Sequence, residues 1–169
     1  MKKIILLSFM CIAALAVNAQ VTAYISDSGP KTNIRNKPNG KVVMSLKSNV
    51  HYAFLLTSPV NGWWEIADIW NEENENDPSA RLRGTNTREY WIHYSVIAVS
   101  TANYGGQRLS LRSEPSANAK VVYSFTEELV LRPMDYNKHG WVKVKCESNG
   151  KIGWIEAEWL CGNSLTNCS

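Results

Sequence analysis

The sequence predicts an all-β chain built as two small barrels in tandem, packed against each other. Three observations predict it. First, four blocks recur in one order: Asn33-Ile34-Arg35-Asn36-Lys37-Pro38, Lys41-Val42-Val43, Asn61-Gly62-Trp63 and Tyr90-Trp91-Ile92 return as Ser110-Leu111-Arg112-Ser113-Glu114-Pro115, Lys120-Val121-Val122, His139-Gly140-Trp141 and Gly153-Trp154-Ile155. The offset, 77 residues from Ile34 to Leu111, is too long for a solenoid repeat and fits a duplicated small domain. Second, the apolar residues fall in short β-branched or aromatic runs bounded by Gly, Pro, Asn and Ser. Third, no stretch beyond residue 20 sustains an apolar period of 3.6 over a dozen residues.

The chain opens on a segment that belongs to neither unit. Lys2 and Lys3 form a positive head, Ile4 to Val17 an apolar core, and Val17-Asn18-Ala19 a small-residue cleavage site, the pattern of a secretory signal peptide over 1–19. About 14 apolar residues fall short of the ~20 that span a bilayer. Cys11 lies in mid-core behind Phe9-Met10, where a lipid-attached cysteine would need a small residue before it. The mature chain therefore begins at Gln20, is exported to the periplasm or beyond, and has no membrane span. Losing Lys2 and Lys3 leaves 16 basic residues against 15 acidic ones. A near-neutral chain lacks the basic stripe that displaces counterions from phosphates, which argues against nucleic acid.

In the first unit, residues 20–98, strands are predicted at Val21 to Ile25, Val42 to Leu46, Tyr52 to Leu56, Trp63 to Ala67 and Trp91 to Tyr94. The second unit, 99–169, repeats them at Val121 to Phe125, Leu129 to Arg132, Trp141 to Lys145 and Ile152 to Ile155. Ser148-Asn149-Gly150-Lys151 supplies an Asn-Gly pair for a two-residue hairpin turn with both central residues at positive φ. Five short strands bury little core, so each unit should close its sheet, with seven tryptophans adding buried area. Val96-Ile97-Ala98-Val99 runs from one unit into the next without a linker, so the two should touch.

Three cysteines follow the signal segment. Cys161 and Cys168 bracket a short tail containing Gly162 and Asn163 and are the candidate disulfide, while Cys146 reads as a small buried apolar residue in a strand.

The order N-x-R-x-x-P, K-V-V, N-G-W-x-x-V and G-W-I/V resembles the bacterial SH3-like domain, in two copies that cover nearly all of Gln20 to Asn163. The second copy is close to pattern. The first replaces the glycine before Trp91 with Tyr90 and carries an insertion at about 68–88. The resemblance implies small barrels of five to seven strands in an exported protein, serving to target cell-wall peptides or a protein partner. In that family the barrel commonly accompanies a catalytic domain, and the rest of this chain offers none.

A cysteine hydrolase needs its thiolate within reach of an oriented histidine. His139 and Cys146 are the nearest pair, yet seven residues of continuous strand would put them on opposite faces and more than about 20 Å apart. His51 and His93 have no second ligand at metal-binding spacing. No enzyme activity and no cofactor are expected. The insertion stacks oxygen donors that calcium accepts, with Asp68, Glu72, Glu75 and Asp77 as weak candidates. No glycine stands at the sharp turn of an EF-hand loop, and Arg81, Arg83 and Arg88 could neutralise the acids across a hairpin.

Binding is the remaining class, and aromatic residues are its candidates. Alternation along Trp63-Trp64-Glu65-Ile66 puts Trp64 and Ile66 toward the core and Trp63 and Glu65 outward, and Trp141 and Lys143 match the latter pair. Trp63 and Trp141 are therefore expected as exposed platforms for a peptide or sugar, extended by Tyr52 and Trp70. Arg35 and Arg112, each before a proline, should anchor turns by donating to backbone carbonyls. Two functions follow: recognition of peptidoglycan peptides on the aromatic faces, or a periplasmic protein–protein assembly factor using the domain interface and the insertion.

Overall fold

The computed structural model describes residues 20–74 and 90–168. Residues 1–19, where a signal peptide is expected, and residues 75–89 of the insertion lie outside the described residues. Thirteen strands form one antiparallel path in the order β3-β2-β6-β5-β4-β1-β7-β10-β11-β12-β8-β9, with β13 added on β7. In chain order they are β1 (Val21–Ile25), β2 (Lys31–Arg35), β3 (Val42–Lys47), β4 (Tyr52–Val60), β5 (Trp63–Asn71), β6 (Trp91–His93), β7 (Ile97–Thr101), β8 (Leu109–Arg112), β9 (Val121–Phe125), β10 (Val130–Asn137), β11 (Trp141–Cys146), β12 (Ile152–Glu156) and β13 (Leu160–Cys161). Single 3-10 turns at Tyr94–Val96 and Ala157–Trp159 precede β7 and β13. The fold is all-β, and among the described residues no helix is long and apolar enough to cross a membrane.

The pairing differs from two separately closed barrels: the path is open, with β3 and β9 at its ends. The reason is that one strand serves both halves. Ile97 and Ala98 of β7 pair with Ile25 and Tyr24 of β1. Further along the same strand, Val99 and Ser100 pair with Leu131 and Val130 of β10, and Ser100 and Thr101 with Cys161 and Leu160 of β13. Thus β7 stands to β10 and β13 as β1 stands to β4 and β7. The boundary read between residues 98 and 99 falls inside this strand.

Strand alternation sets the core. In β5 the pattern buries Trp64, Ile66 and Ile69, and in β11 it buries Val142 and Val144, so Trp64 and Ile66 do face inward. They pack in one cluster with Phe54, Leu56 and Ile92 from the first half, Leu111, Leu131 and Ile155 from the second, and Ile97 and Val99 of β7. Burial of such side chains contributes roughly 1.5–3 kcal/mol each. Cys146 is buried and unpaired. Four strands were not anticipated, β2, β7, β8 and β13, and in β2 the reason is a largely polar sequence. In β2, Lys31-Thr32-Asn33-Ile34-Arg35 buries only Thr32 and Ile34, and the Thr32 hydroxyl lies 3.1 Å from Asp27 Oδ2 and 3.2 Å from Ser48 Oγ.

Polar contacts fasten the halves. Trp64 Nε1 donates to the Pro133 carbonyl at 2.8 Å in a buried site, Tyr24 Oη meets Ser100 Oγ at 2.9 Å, and Arg132 Nη1 donates to the Ser26 and Ile97 carbonyls. The same guanidinium pairs with Glu147 at 2.8 Å through Nη2.

The turn chemistry departs from expectation at one hairpin. Asn61 and Gly62 both take positive φ, 51° and 81°, and join β4 to β5. At Asn149-Gly150 only Gly150 does, at 70°. There Gly150 N donates to the Cys146 carbonyl and Cys146 N to the Lys151 carbonyl, so the loop is longer than two residues and needs a single left-handed position.

Candidate functional site

Directly paired residues of an antiparallel ladder project to the same side of the sheet. In the first half, Trp63 pairs with His93, and Glu65 with Trp91, which in turn pairs with Arg35. In the second half, Trp141 pairs with Glu156, and Lys143 with Trp154, which pairs with Arg112. Each half therefore carries, on its outer side, an arginine beside two tryptophans. The polar groups around that frame differ: Glu65 stands where the other half has Lys143, and His93 where it has Glu156.

Both arginines do anchor turns. Arg35 Nη1 donates to the Gly40 carbonyl at 2.6 Å and Arg112 Nη1 to the Ala119 carbonyl at 2.9 Å. Each is thereby held against its face, and the Arg35 guanidinium carbon lies 5.9 Å from the Trp63 ring centre, within cation–π range. His93 packs 5.0 Å from Trp63 and 4.6 Å from Tyr94, centre to centre. Its Nδ1 lies 2.8 Å from Ser95 Oγ. Burial holds the His93 imidazole below its usual pKa and favours the neutral ring. The Trp91 indole N–H is buried and has no hydrogen-bond partner, an unpaired donor on the same face.

The structure places the candidates unequally. Trp63 is half-buried beneath Arg35 and His93. Trp141 is not the open platform expected, since only 9% of it is exposed. It lies in the wall of a cavity of about 180 Å3 with Ile155 and Trp159, rimmed by Arg108, Arg112 and Glu156. Alternation along β11 puts Trp141 on the side of Lys143, and its cover comes from the 3-10 turn that brings Trp159 to the same cavity and the β8–β9 loop that brings Ala117. Trp159, Arg108 and Glu156 were missed, and the only signal was their closeness in sequence to repeated blocks.

Tyr52 packs against the core cluster, and Trp70 lies beside β1 and the tail. Ala53 is the direct partner of Trp70, and Trp70 lines a second cavity, of about 330 Å3, with Glu72 and residues of β1, β13 and the tail. That tail is closed by a disulfide between Cys161 and Cys168, the pair expected. Gly162 is buried against β1, where a Cβ would fall 2.3 Å from the Thr22 carbonyl carbon, so only glycine lets the tail pass. Ser164 then donates to Glu72, from its N–H at 3.2 Å and from its hydroxyl, and His51 Nδ1 lies 2.9 Å from Ser164 Oγ.

Of the calcium candidates, Asp68 Oδ1 accepts from the Ile69 N–H at 2.9 Å and Glu72 is engaged by Ser164. Glu75 and Asp77 lie outside the described residues. Among the described residues no three His, Cys, Asp or Glu side chains are grouped to hold a metal ion. Cys146 Sγ sits in the core, 3.3 Å from Ser148 Oγ, while His139 is exposed on the β10–β11 turn.

No protein-family model and no curated protein matches the chain. Among solved structures, it is similar to NlpC2 from Trichomonas vaginalis, at 15% identity and a TM-score of 0.32, over 85% of this chain and 48% of the other. NlpC1 from the same organism is 17% identical with a TM-score of 0.33, over 92% of this chain and 50% of the other. The chain thus spans about half the length of those structures. Likeness at that level carries no weight for the site, which stands on its own geometry.

Proposed function

We propose that the mature chain is an exported, non-catalytic binding module made of two SH3-like units, and that it takes cell-wall peptides on its two arginine–tryptophan faces. The carrying observation is the recurrence, in register, of an arginine beside two tryptophans on the outer side of each half. Each arginine is already fixed by a carbonyl, so the frame is rigid before any ligand arrives. Indole walls take the apolar body of a peptide, and the Arg108, Arg112 and Glu156 rim of the second cavity complements a chain bearing both carboxylate and ammonium groups. Co-sedimentation with purified sacculi tests this. Wild-type protein should be retained, and Trp63→Ala and Trp159→Ala should each weaken retention; absence of wild-type retention overturns the reading.

A second reading, a protein-assembly role, draws on the open ends of the sheet. Val42 and Val43 at the start of β3 are 46% and 50% exposed, and Val121 and Val122 at the start of β9 are 45% and 38% exposed. Consecutive strand residues point to opposite faces, so both edges stand uncovered on both sides at those positions, which suits strand addition by a partner. Val122→Lys would abolish such capture while leaving sacculus binding intact.

A further inference from the structure

From residue 28 to residue 64 the sequence holds five basic side chains, Lys31, Arg35, Lys37, Lys41 and Lys47, and no acidic one. All five belong to β2, β3 or the turn between them, at one open end of the sheet. The four lysines are exposed, and among the described residues none of their ammonium groups has an ion-pair partner. Asp27, the acid that precedes them, is engaged by the Gly29 N–H and the Thr32 hydroxyl. Lys31 and Lys47 are direct partners in the ladder and project to one side, a like-charge pairing that weakens a sheet. Lysine on an edge strand discourages strand addition, which accounts for Lys47 in β3. It does not account for Lys31, whose strand is paired on both sides. Alternation from Lys31 puts Arg35 on the same side, with Val42 as its direct partner, and Val42 and Val43 are 46% and 50% exposed. In the second half Val121 and Val122 are exposed in the same way, but residues 108–128 hold three basic side chains against three acidic ones, with Glu114 in the place of Lys37. The second hairpin therefore forms without such a charge cluster.

From this placement we infer that the β2–β3 hairpin docks the protein on an anionic phospholipid surface, with Lys31, Lys37, Lys41 and Lys47 meeting phosphate headgroups and Val42 and Val43 entering the interface between them. Charge draws the hairpin to the surface, and the exposed apolar pair holds it there. A soluble polyanion would engage the lysines alone and leave the valines in water.

Co-sedimentation of the mature chain with vesicles of equimolar phosphatidylglycerol and phosphatidylcholine, beside vesicles of phosphatidylcholine alone, tests the assignment. Only the anionic vesicles should carry the protein down, and added salt should release it. A lysine at such a surface is worth about fivefold in partition, so Lys31→Gln combined with Lys47→Gln should weaken binding by about tenfold or more. Removing that like-charge pair should not lower the urea midpoint, so the loss is not one of folding. Val42→Ser should weaken binding by about threefold or more. Lys120→Gln and Trp159→Ala should leave it unchanged, and the latter separates vesicle binding from retention on sacculi. The assignment is overturned if anionic vesicles are not bound, if phosphatidylcholine alone binds equally, or if Lys120→Gln costs as much as Lys31→Gln. It is also overturned if Val42→Ser has no effect, which together with binding of inorganic polyphosphate would mark a soluble polyanion as the partner.

Discussion

Replacing Trp64 by phenylalanine isolates the contact that joins the halves. Trp64 is fully buried, its ring belongs to the first-half core, and its Nε1 reaches the Pro133 carbonyl of β10 at 2.8 Å. Phenylalanine keeps an aromatic ring in the same strand position but loses the donor and part of the ring volume. A buried hydrogen bond contributes about 1 kcal/mol net, and a carbonyl left without its donor costs about 1–3 kcal/mol. The smaller ring adds a modest cavity cost. Together these predict a loss of about 2–4 kcal/mol, and a fall in Tm of about 5–15 °C at the 2–4 °C per kcal/mol usual for this chain length. Urea unfolding followed by tryptophan fluorescence and by far-UV circular dichroism gives the measurement. Wild type should unfold in one transition by both probes, because β7 belongs to both halves and cannot leave one without disturbing the other. A loss below about 1 kcal/mol, or two separated wild-type transitions, would refute the reasoning.

Three other outcomes follow from the same contacts. His93 has a folded-state pKa below its unfolded value, so its contribution is complete above about pH 6.5 and is lost as pH falls through the lower folded pKa, where unfolding takes up a proton; His93→Gln should flatten the decline in stability on that acid side, and a proton-NMR titration should put the His93 midpoint below 6.5. Asn103 is buried, accepts from the Thr101 hydroxyl at 2.7 Å and donates to the Thr126 carbonyl at 2.8 Å, so Asn103→Ala should cost about 2–4 kcal/mol in urea unfolding. Cys168→Ser should lower stability by up to about 2 kcal/mol, as expected for so short a closed loop, and should raise hydrogen exchange at Gly162 and Ser164.

The fold class could be read because its signals are local. Short apolar runs between turn residues marked Val21 to Ile25 and Val121 to Phe125 with their observed ends. Repetition also tied Arg35 to Arg112, and both do hold turn carbonyls. What stayed hidden depends on tertiary placement. In β2 the inward residues are one threonine and one isoleucine, so half of its buried side is a polar residue satisfied by Asp27 and Ser48, and no apolar count reveals it. The double use of β7 was hidden because repeated blocks mark equivalent positions and say nothing of which strand bonds to which. Trp141 shows the same division: period-two alternation placed it on the outer side, while its burial came from a turn and a loop whose positions alternation does not describe.

The shared strand bears on how the two faces act. A module with a flexible linker lets each unit find its ligand separately, and the gain from holding two sites depends on the linker's reach. Here β7 is common to both halves, and Trp64 and Arg132 bridge them, so the two faces share one rigid frame. Residues that build this frame are alike in the two halves: the arginine, both tryptophans and the apolar inner positions. Those that differ, Glu65 against Lys143 and His93 against Glu156, are partly exposed, where folding tolerates either charge at a cost within about 0.5 kcal/mol. Stability therefore does not account for the difference in charge, Glu65 against Lys143 and neutral His93 against Glu156. A ligand that met both faces alike would gain nothing from it, whereas two different groups, or two ends of one polar chain, would each find a complementary face at a fixed separation.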